Sequence, residues 1–199
     1  MFHRLIDVLF PPQCGGCSAV GSGICERCVA PRSTLRVRRL QSISVYALGE
    51  YEGALRRAVL AVKDGRRDVA AALGERLGRH VAASAILVPV PTTRARCRSR
   101  GVDGVASIAR SAAERSAASL LLALETAGHD AQRGRGRSAR LARRGRFRCA
   151  SEMLAGCDIA LVDDVCTTGA TLEDCAAALR AAGARVSQAF VVAIANGRA

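Results

Sequence analysis

The chain has 199 residues, half of them apolar, with aromatic residues at only 3% and no tryptophan. That length suits one ordinary domain with an aliphatic core and a small appendage, and the scarcity of aromatics excludes extended stacking platforms for nucleobases. The formal net charge is +13 and comes almost wholly from arginine, Lys63 being the only lysine. Such a balance points to polyanionic partners, phosphate-rich metabolites or nucleic acid, or to a genome that writes arginine throughout. No apolar run reaches the roughly 18 residues of a membrane span, so none is expected.

Residues 1–10 read as a short amphipathic helix stopped by Pro11-Pro12, without the small-residue cleavage site of a signal peptide. Two tight cysteine pairs follow, Cys14-Gly-Gly-Cys17 and Cys25-Glu-Arg-Cys28. Each pair can place two thiolates on one tetrahedral ion, and four soft sulfurs favour zinc. With all four ligands from the protein, that zinc is structural. A redox CxxC and an iron–sulfur cluster are the alternative uses. The total of nine cysteines is odd, which suits the reducing cytoplasm better than a disulfide scaffold. Residues 32–40, with Arg32, Arg36, Arg38 and Arg39, read as a basic connector. It divides a zinc-binding segment, 1–40, from a main domain, 41–199.

Beyond the connector the pattern alternates. A strand is expected at 43–48. A helix spans 52–62, with Leu55, Val59 and Val62 on one face, and stops at Asp64-Gly65. A second helix spans 68–81 on Val69, Leu73, Leu77 and Val81. A short buried strand at 85–88 runs into Pro89-Val-Pro91. A helix at 103–115 and a strand at 120–124 follow. Residues 128–149 carry no apolar periodicity, and the stretch from Arg133 to Arg148 holds eight arginines and no acid. The remaining elements are a strand at 158–162, a helix at 172–182 ended by Gly183, and a strand at 189–195. Continuous apolar strands alternating with helices imply an α/β fold: a mostly parallel twisted sheet flanked by helices on both faces.

The densest chemistry lies in Ile159-Ala-Leu-Val-Asp-Asp-Val-Cys-Thr-Thr-Gly-Ala-Thr171. A strand without a polar residue delivers two acids to its carboxyl end, where ligands of parallel sheets bind. The run after them is small and hydroxylic. Its backbone N–H groups can curl around an anion, Gly169 permits close approach or positive φ, and the helix that follows aims its N-terminus at the same point. That cradle suits a phosphate monoester. Asp163 and Asp164 would repel phosphate, but as pure acceptors they suit the neighbouring hydroxyls of a ribose, with magnesium bridging nearby. Cys166 reads chiefly as a packing residue, although the helix N-terminus also stands to lower its thiol.

This run resembles the binding motif for 5-phosphoribosyl-1-pyrophosphate (PRPP) of type I phosphoribosyltransferases, over all thirteen positions. With the cysteine pairs ahead of it, the chain resembles the ComF or GntX family, amidophosphoribosyltransferase-like proteins. Lys63-Asp-Gly-Arg66 and Val88-Pro-Val-Pro91 followed by Arg94, Arg96 and Arg98 add to the likeness. So does Arg100-Gly101, although Val102, Asp103 and Gly104 stand where the family has Phe-Asn-Gln. The resemblance implies a type I phosphoribosyltransferase-like fold, in which Asp163 and Asp164 bind the ribose 2- and 3-hydroxyls and Thr167, Thr168, Gly169, Ala170 and Thr171 bind the 5-phosphate. Lys63, Arg94, Arg96 and Arg100 would face the pyrophosphate, and magnesium would accompany PRPP. The implied activity is phosphoribosyl transfer with release of pyrophosphate. The alternative it implies is a competence protein that binds single-stranded DNA or DNA-processing partners without transferase activity. Within this frame Arg133 to Arg148 form a lid over PRPP, a track for a nucleic-acid backbone, or a solvated loop. The sequence names neither an acceptor, nor a general base, nor an oligomeric state.

Overall fold

The computed structural model of the chain describes residues 11–29, 34–92, 103–126, 147–150 and 154–195. The helix expected at 1–10, the arginines Arg94, Arg96, Arg98 and Arg100, and all but the end of the 128–149 segment lie outside the described residues.

Six strands form the main sheet: β1 (Arg36–Arg39), β2 (Ser44–Glu50), β3 (Ile86–Pro89), β4 (Ser119–Leu120), β7 (Asp158–Cys166) and β8 (Arg185–Ile194), in the order β1-β2-β8-β7-β3-β4. Every pairing is parallel except β1 with β2, so the sheet is mixed at one edge. β7 and β8 run at its centre, where both faces are covered. Residues 159–162 and 189–194 are accordingly no more than 4% exposed.

Helices α1 (Gly53–Lys63), α2 (Arg67–Gly78) and α3 (Gly104–Ser116) cover one face, sharing a core of Leu55, Val59, Leu73, Leu77 and Ile108. Helix α4 (Ala170–Ala181) covers the other, packing Leu172 and Leu179 against Val45, Leu161 and Val191. Beside α4 lies a two-stranded antiparallel ribbon of β5 (Leu124–Thr126) and β6 (Phe147–Cys149). Each fully buried leucine here contributes about 2 kcal/mol of apolar transfer. Among the described residues no helix is long and apolar enough to cross a membrane.

Three sequence expectations change. The basic connector is partly a strand, because Arg36–Arg39 pair with Ala47 to Ser44. The strand expected at 158–162 continues to Cys166, because Asp163, Val165 and Cys166 keep their places opposite Val191, Ala193 and Ile194 of β8. The apolar run 120–124 splits. Leu120 pairs with Leu87 of β3, Leu122 turns out to 65% exposure, and Leu124 crosses to pair with Cys149.

Candidate ligand crevice and cysteine cluster

β3 stops opposite Val162, whereas β7 continues for four more residues beside β8. Asp163 and Asp164 therefore lie beyond the end of β3, at the carboxyl edge of the sheet, where parallel sheets form their ligand crevices. Lys63, the last residue of α1, reaches this edge and pairs its Nζ with Asp164 Oδ2 at 3.1 Å. Asp163 is half-buried, and its Oδ1 accepts the Asp164 backbone N–H at 2.8 Å. Burial first, and then the charges of Asp164 and Asp103, push the Asp163 carboxyl up to about 7, with Lys63 acting in the opposite direction.

Asp103 has a clear local task. It is the N-cap of α3: its Oδ1 accepts the N–H groups of Val105 and Ala106 and the hydroxyl of Thr92, each at 3.1 Å. At the next position a Cβ would lie 2.5 Å from Val62 Cγ1, so Gly104 lets α3 start directly against the end of α1. Asp103 and Gly104 thereby start α3 beside the end of α1, at the two positions where the family likeness leads one to expect amides.

The turn after β7 is built on Gly169, which sits at φ 85° as the residue before α4, a conformation that favours glycine. Leu40 closes over it so tightly that a Cβ would lie 2.3 Å from Leu40 Cδ1. Thr167 and Thr168 are exposed, Thr171 is half-buried, and Thr168 Oγ1 accepts the Ala170 N–H at 3.3 Å. Arg38 braces the turn from β1, donating to the carbonyls of Thr167 at 2.6 Å and Ala195 at 3.1 Å. Nothing in the sequence singled Arg38 out from the arginines around it. Ser42, between β1 and β2, is bound by Glu173 and Arg180 of α4, which ties the β1–β2 turn to that helix. Cys166 departs from expectation. It is buried, and burial raises its thiol although Arg38 acts in the opposite direction.

The four cysteine sulfurs of Cys14, Cys17, Cys25 and Cys28 lie within 4.8 Å of one another, and Cys17 and Cys25 are 3.6 Å apart. A tetrahedral zinc with bonds of about 2.3 Å sets its sulfurs roughly 3.8 Å apart, so the four fit a closed metal site. The backbone prepares it further. Cys14 Sγ accepts N–H groups from Gly16 at 3.4 Å and Cys25 at 3.3 Å. Burial opposes ionisation of Cys14, yet these N–H groups and that of Cys17 hold its thiol below the ordinary value. The Cys28 N–H draws Cys25 down to about 6, whereas burial raises Cys28. The segment is docked on α1 and α2. Ile24 is 1% exposed in their core, Arg57 Nε donates to Gly16 O at 2.6 Å, and Arg66 Nη2 donates to Gln13 O at 2.6 Å.

Of the residues expected to act together, Lys63 and Asp164 are in direct contact, Asp163 is adjacent, and Thr167 to Thr171 follow in one turn. Among solved structures, the chain is similar to one described as the allosteric regulatory enzyme of purine biosynthesis. The identity is 21% and the TM-score 0.44, over 62% of this chain and 26% of that one. It is also similar to the protein TT1426 from Thermus thermophilus, with 18% identity and a TM-score of 0.38, over 68% of this chain and 86% of that one. At such scores these likenesses carry no argument about function, and the chain spans 26% of the length of the purine enzyme. No protein-family model and no curated protein matches the chain.

Proposed function

We propose that the crevice binds PRPP or a closely related phosphoribosyl ligand, and that the chain is a phosphoribosyltransferase-like protein of the ComF or GntX kind. The observation that supports this best is the unit formed by β7, its turn and α4. Two adjacent carboxylates stand at an open strand end, followed by a hydroxyl-bearing turn that passes through Gly169 into a helix N-terminus.

In this reading the carboxylates of Asp163 and Asp164 accept hydrogen bonds from the ribose 2- and 3-hydroxyls. The backbone N–H groups and hydroxyls from Thr167 to Thr171 hold the 5-phosphate. Lys63, paired with Asp164 in the free protein, faces the pyrophosphate once ligand is bound, and Arg94, Arg96 and Arg100 join it there. Magnesium, bound with the ligand, neutralises charge that builds on the leaving pyrophosphate. The chain's own contribution is positioning: it holds the ribose by two hydroxyls and a phosphate so that C1 is presented to a nitrogen nucleophile. The cysteine cluster carries a structural zinc that folds the cysteine segment against α1 and α2, and such a site suits the reducing cytoplasm. Calorimetric titration with magnesium and PRPP tests the reading. Wild type should bind, and the double variant Asp163→Asn, Asp164→Asn should lose at least tenfold in affinity, because each substitution removes the charge that strengthens a hydroxyl hydrogen bond and turns one acceptor oxygen into a donor, at a cost of about 1 kcal/mol apiece. Unchanged affinity in the double variant would remove the site.

A second reading has one specific observation in its favour. β1 is an edge strand on which Arg36 and Arg39 are exposed and Val37 is 56% exposed. A basic edge of this kind suits the backbone of single-stranded DNA, the partner that a competence role, with its DNA-processing proteins, calls for. Binding that weakens steeply with salt and with neutralisation of these arginines supports it. Binding indifferent to salt rules it out.

A further inference from the structure

We infer that the cysteine segment is a positioning element for the ligand crevice, and that Arg66 is the latch through which metal occupancy at the cysteines reaches Lys63. For its ligand arm the inference rests on the phosphoribosyl reading above; its structural arm does not.

Arg66 lies three residues after Lys63, in the same short segment that carries part of the family likeness. Its guanidinium is held by the cysteine segment and by Asp68. Nη2 donates to Gln13 O at 2.6 Å, and Nε and Nη2 hold Asp68 Oδ1 and Oδ2 at 2.8 and 2.6 Å. This two-point grip keeps the Asp68 carboxyl below its ordinary range. Gln13 is the residue immediately before the ligand Cys14. The segment touches the same place a second time, since a Cβ at Gly23 would lie 2.3 Å from the Asp68 carbonyl. Arg57 of α1 adds a second latch, donating to the carbonyl of Gly16 inside the first cysteine pair.

The other end of the path is equally short. The turn that carries Lys63 is closed by Asp64 N–H to Leu60 O at 2.9 Å, Gly65 N–H to Val62 O at 3.0 Å and Arg66 N–H to Ala61 O at 3.0 Å. Lys63 then meets Asp164. Four sulfurs held within 4.8 Å on a segment with little core of its own need a metal to stay together. Loss of the metal releases Gln13 and Gly23, leaves the Arg66 guanidinium to Asp68 alone, and loosens the turn behind Lys63.

A cycle on the full chain tests this. Zinc content is measured first, and wild type and Arg66→Ala are compared before and after chelation under reducing conditions. One readout is amide hydrogen exchange at 64–66; the other is affinity for PRPP with magnesium. In wild type, chelation should speed exchange at 64–66 by about tenfold, the effect of losing one charged hydrogen bond, and weaken PRPP binding several-fold. The β7 and β8 amides should stay protected. In Arg66→Ala both changes should be present at the outset, and chelation should add little to them, the mark of a shared path. Arg66→Lys, which reaches Gln13 without the double grip, should fall between.

Unchanged exchange at 64–66 after chelation, or full additivity of chelation and Arg66→Ala, overturns the latch. So does loss of protection across β7 and β8, which means the chain unfolds as one body. Coupled exchange without PRPP binding in any form upholds the latch and overturns the ligand reading instead.

Discussion

Asp163→Asn should make the protein more stable at neutral pH and less able to bind its ligand. The side chains are nearly isosteric, and the asparagine carbonyl can still accept the Asp164 N–H that Asp163 accepts at 2.8 Å. What changes is the charge. In the folded chain the Asp163 carboxyl is raised from 3.8 to about 7, by burial and by the neighbouring charges of Asp164 and Asp103. A carboxyl raised in this way binds its proton more tightly folded than unfolded, so stability falls as pH rises between the two values. The penalty is nearly absent at pH 4, grows from there, and is complete above pH 7. A shift from 3.8 to about 7 corresponds to a penalty on the order of 4 kcal/mol. Asparagine never takes on the charge and escapes it. Urea unfolding from pH 4 to pH 8 should therefore show a variant about as stable as wild type at the acid end. Its advantage should grow to several kcal/mol at pH 8. A difference that does not change with pH, or a variant less stable at pH 8, would refute the reasoning. Under the proposed ligand reading, the stability given up at Asp163 is what binding asks of a carboxylate held in this place.

Gly169→Ala should lower stability by about 2 kcal/mol, from a positive φ and a Cβ 2.3 Å from Leu40, and Leu40→Ala should recover part of it in thermal unfolding. Asp103→Ala removes the cap of α3 and should cost about 1 kcal/mol, while Asp103→Ser retains most of that, as measured by urea midpoints. Lys63→Met breaks an ion pair whose side chains are 31% and 19% exposed, so unfolding should change by less than about 1 kcal/mol. PRPP affinity should nonetheless fall at least tenfold if Lys63 meets the pyrophosphate. Elemental analysis should find one zinc per chain, and Cys14→Ser should abolish it. A metal-free wild type with its fold intact would contradict the fit of the four sulfurs.

What the sequence made legible was what it wrote locally. The two cysteine pairs could be read because only two residues separate the ligands within each pair, and the β7 turn because strand, acids, threonines and glycine follow in one run. β1 escaped notice because Arg-Val-Arg-Arg carries one apolar residue. Its strand character comes from pairing with β2, and charge on an edge strand guards a row of unpaired backbone groups. The 120–124 run misled for the opposite reason: five apolar residues satisfy one buried strand or two short ones, and only the partners, β3 for Leu120 and β6 for Leu124, decide between them. The contacts that shape the crevice are invisible to pattern because they join distant positions: Lys63 with Asp164, Arg38 with Thr167, Ser42 with Glu173, Arg66 with Gln13. In a chain this rich in arginine, no count of charges separates the few guanidiniums that hold carbonyls in place from those that merely face water. Arg38 and Arg66 differ from their neighbours only in where the fold carries them, and each reaches a backbone oxygen beside a segment that bears polar chemistry. Arginine can do this where lysine is less suited, because its planar fork meets two acceptors at once while keeping its charge.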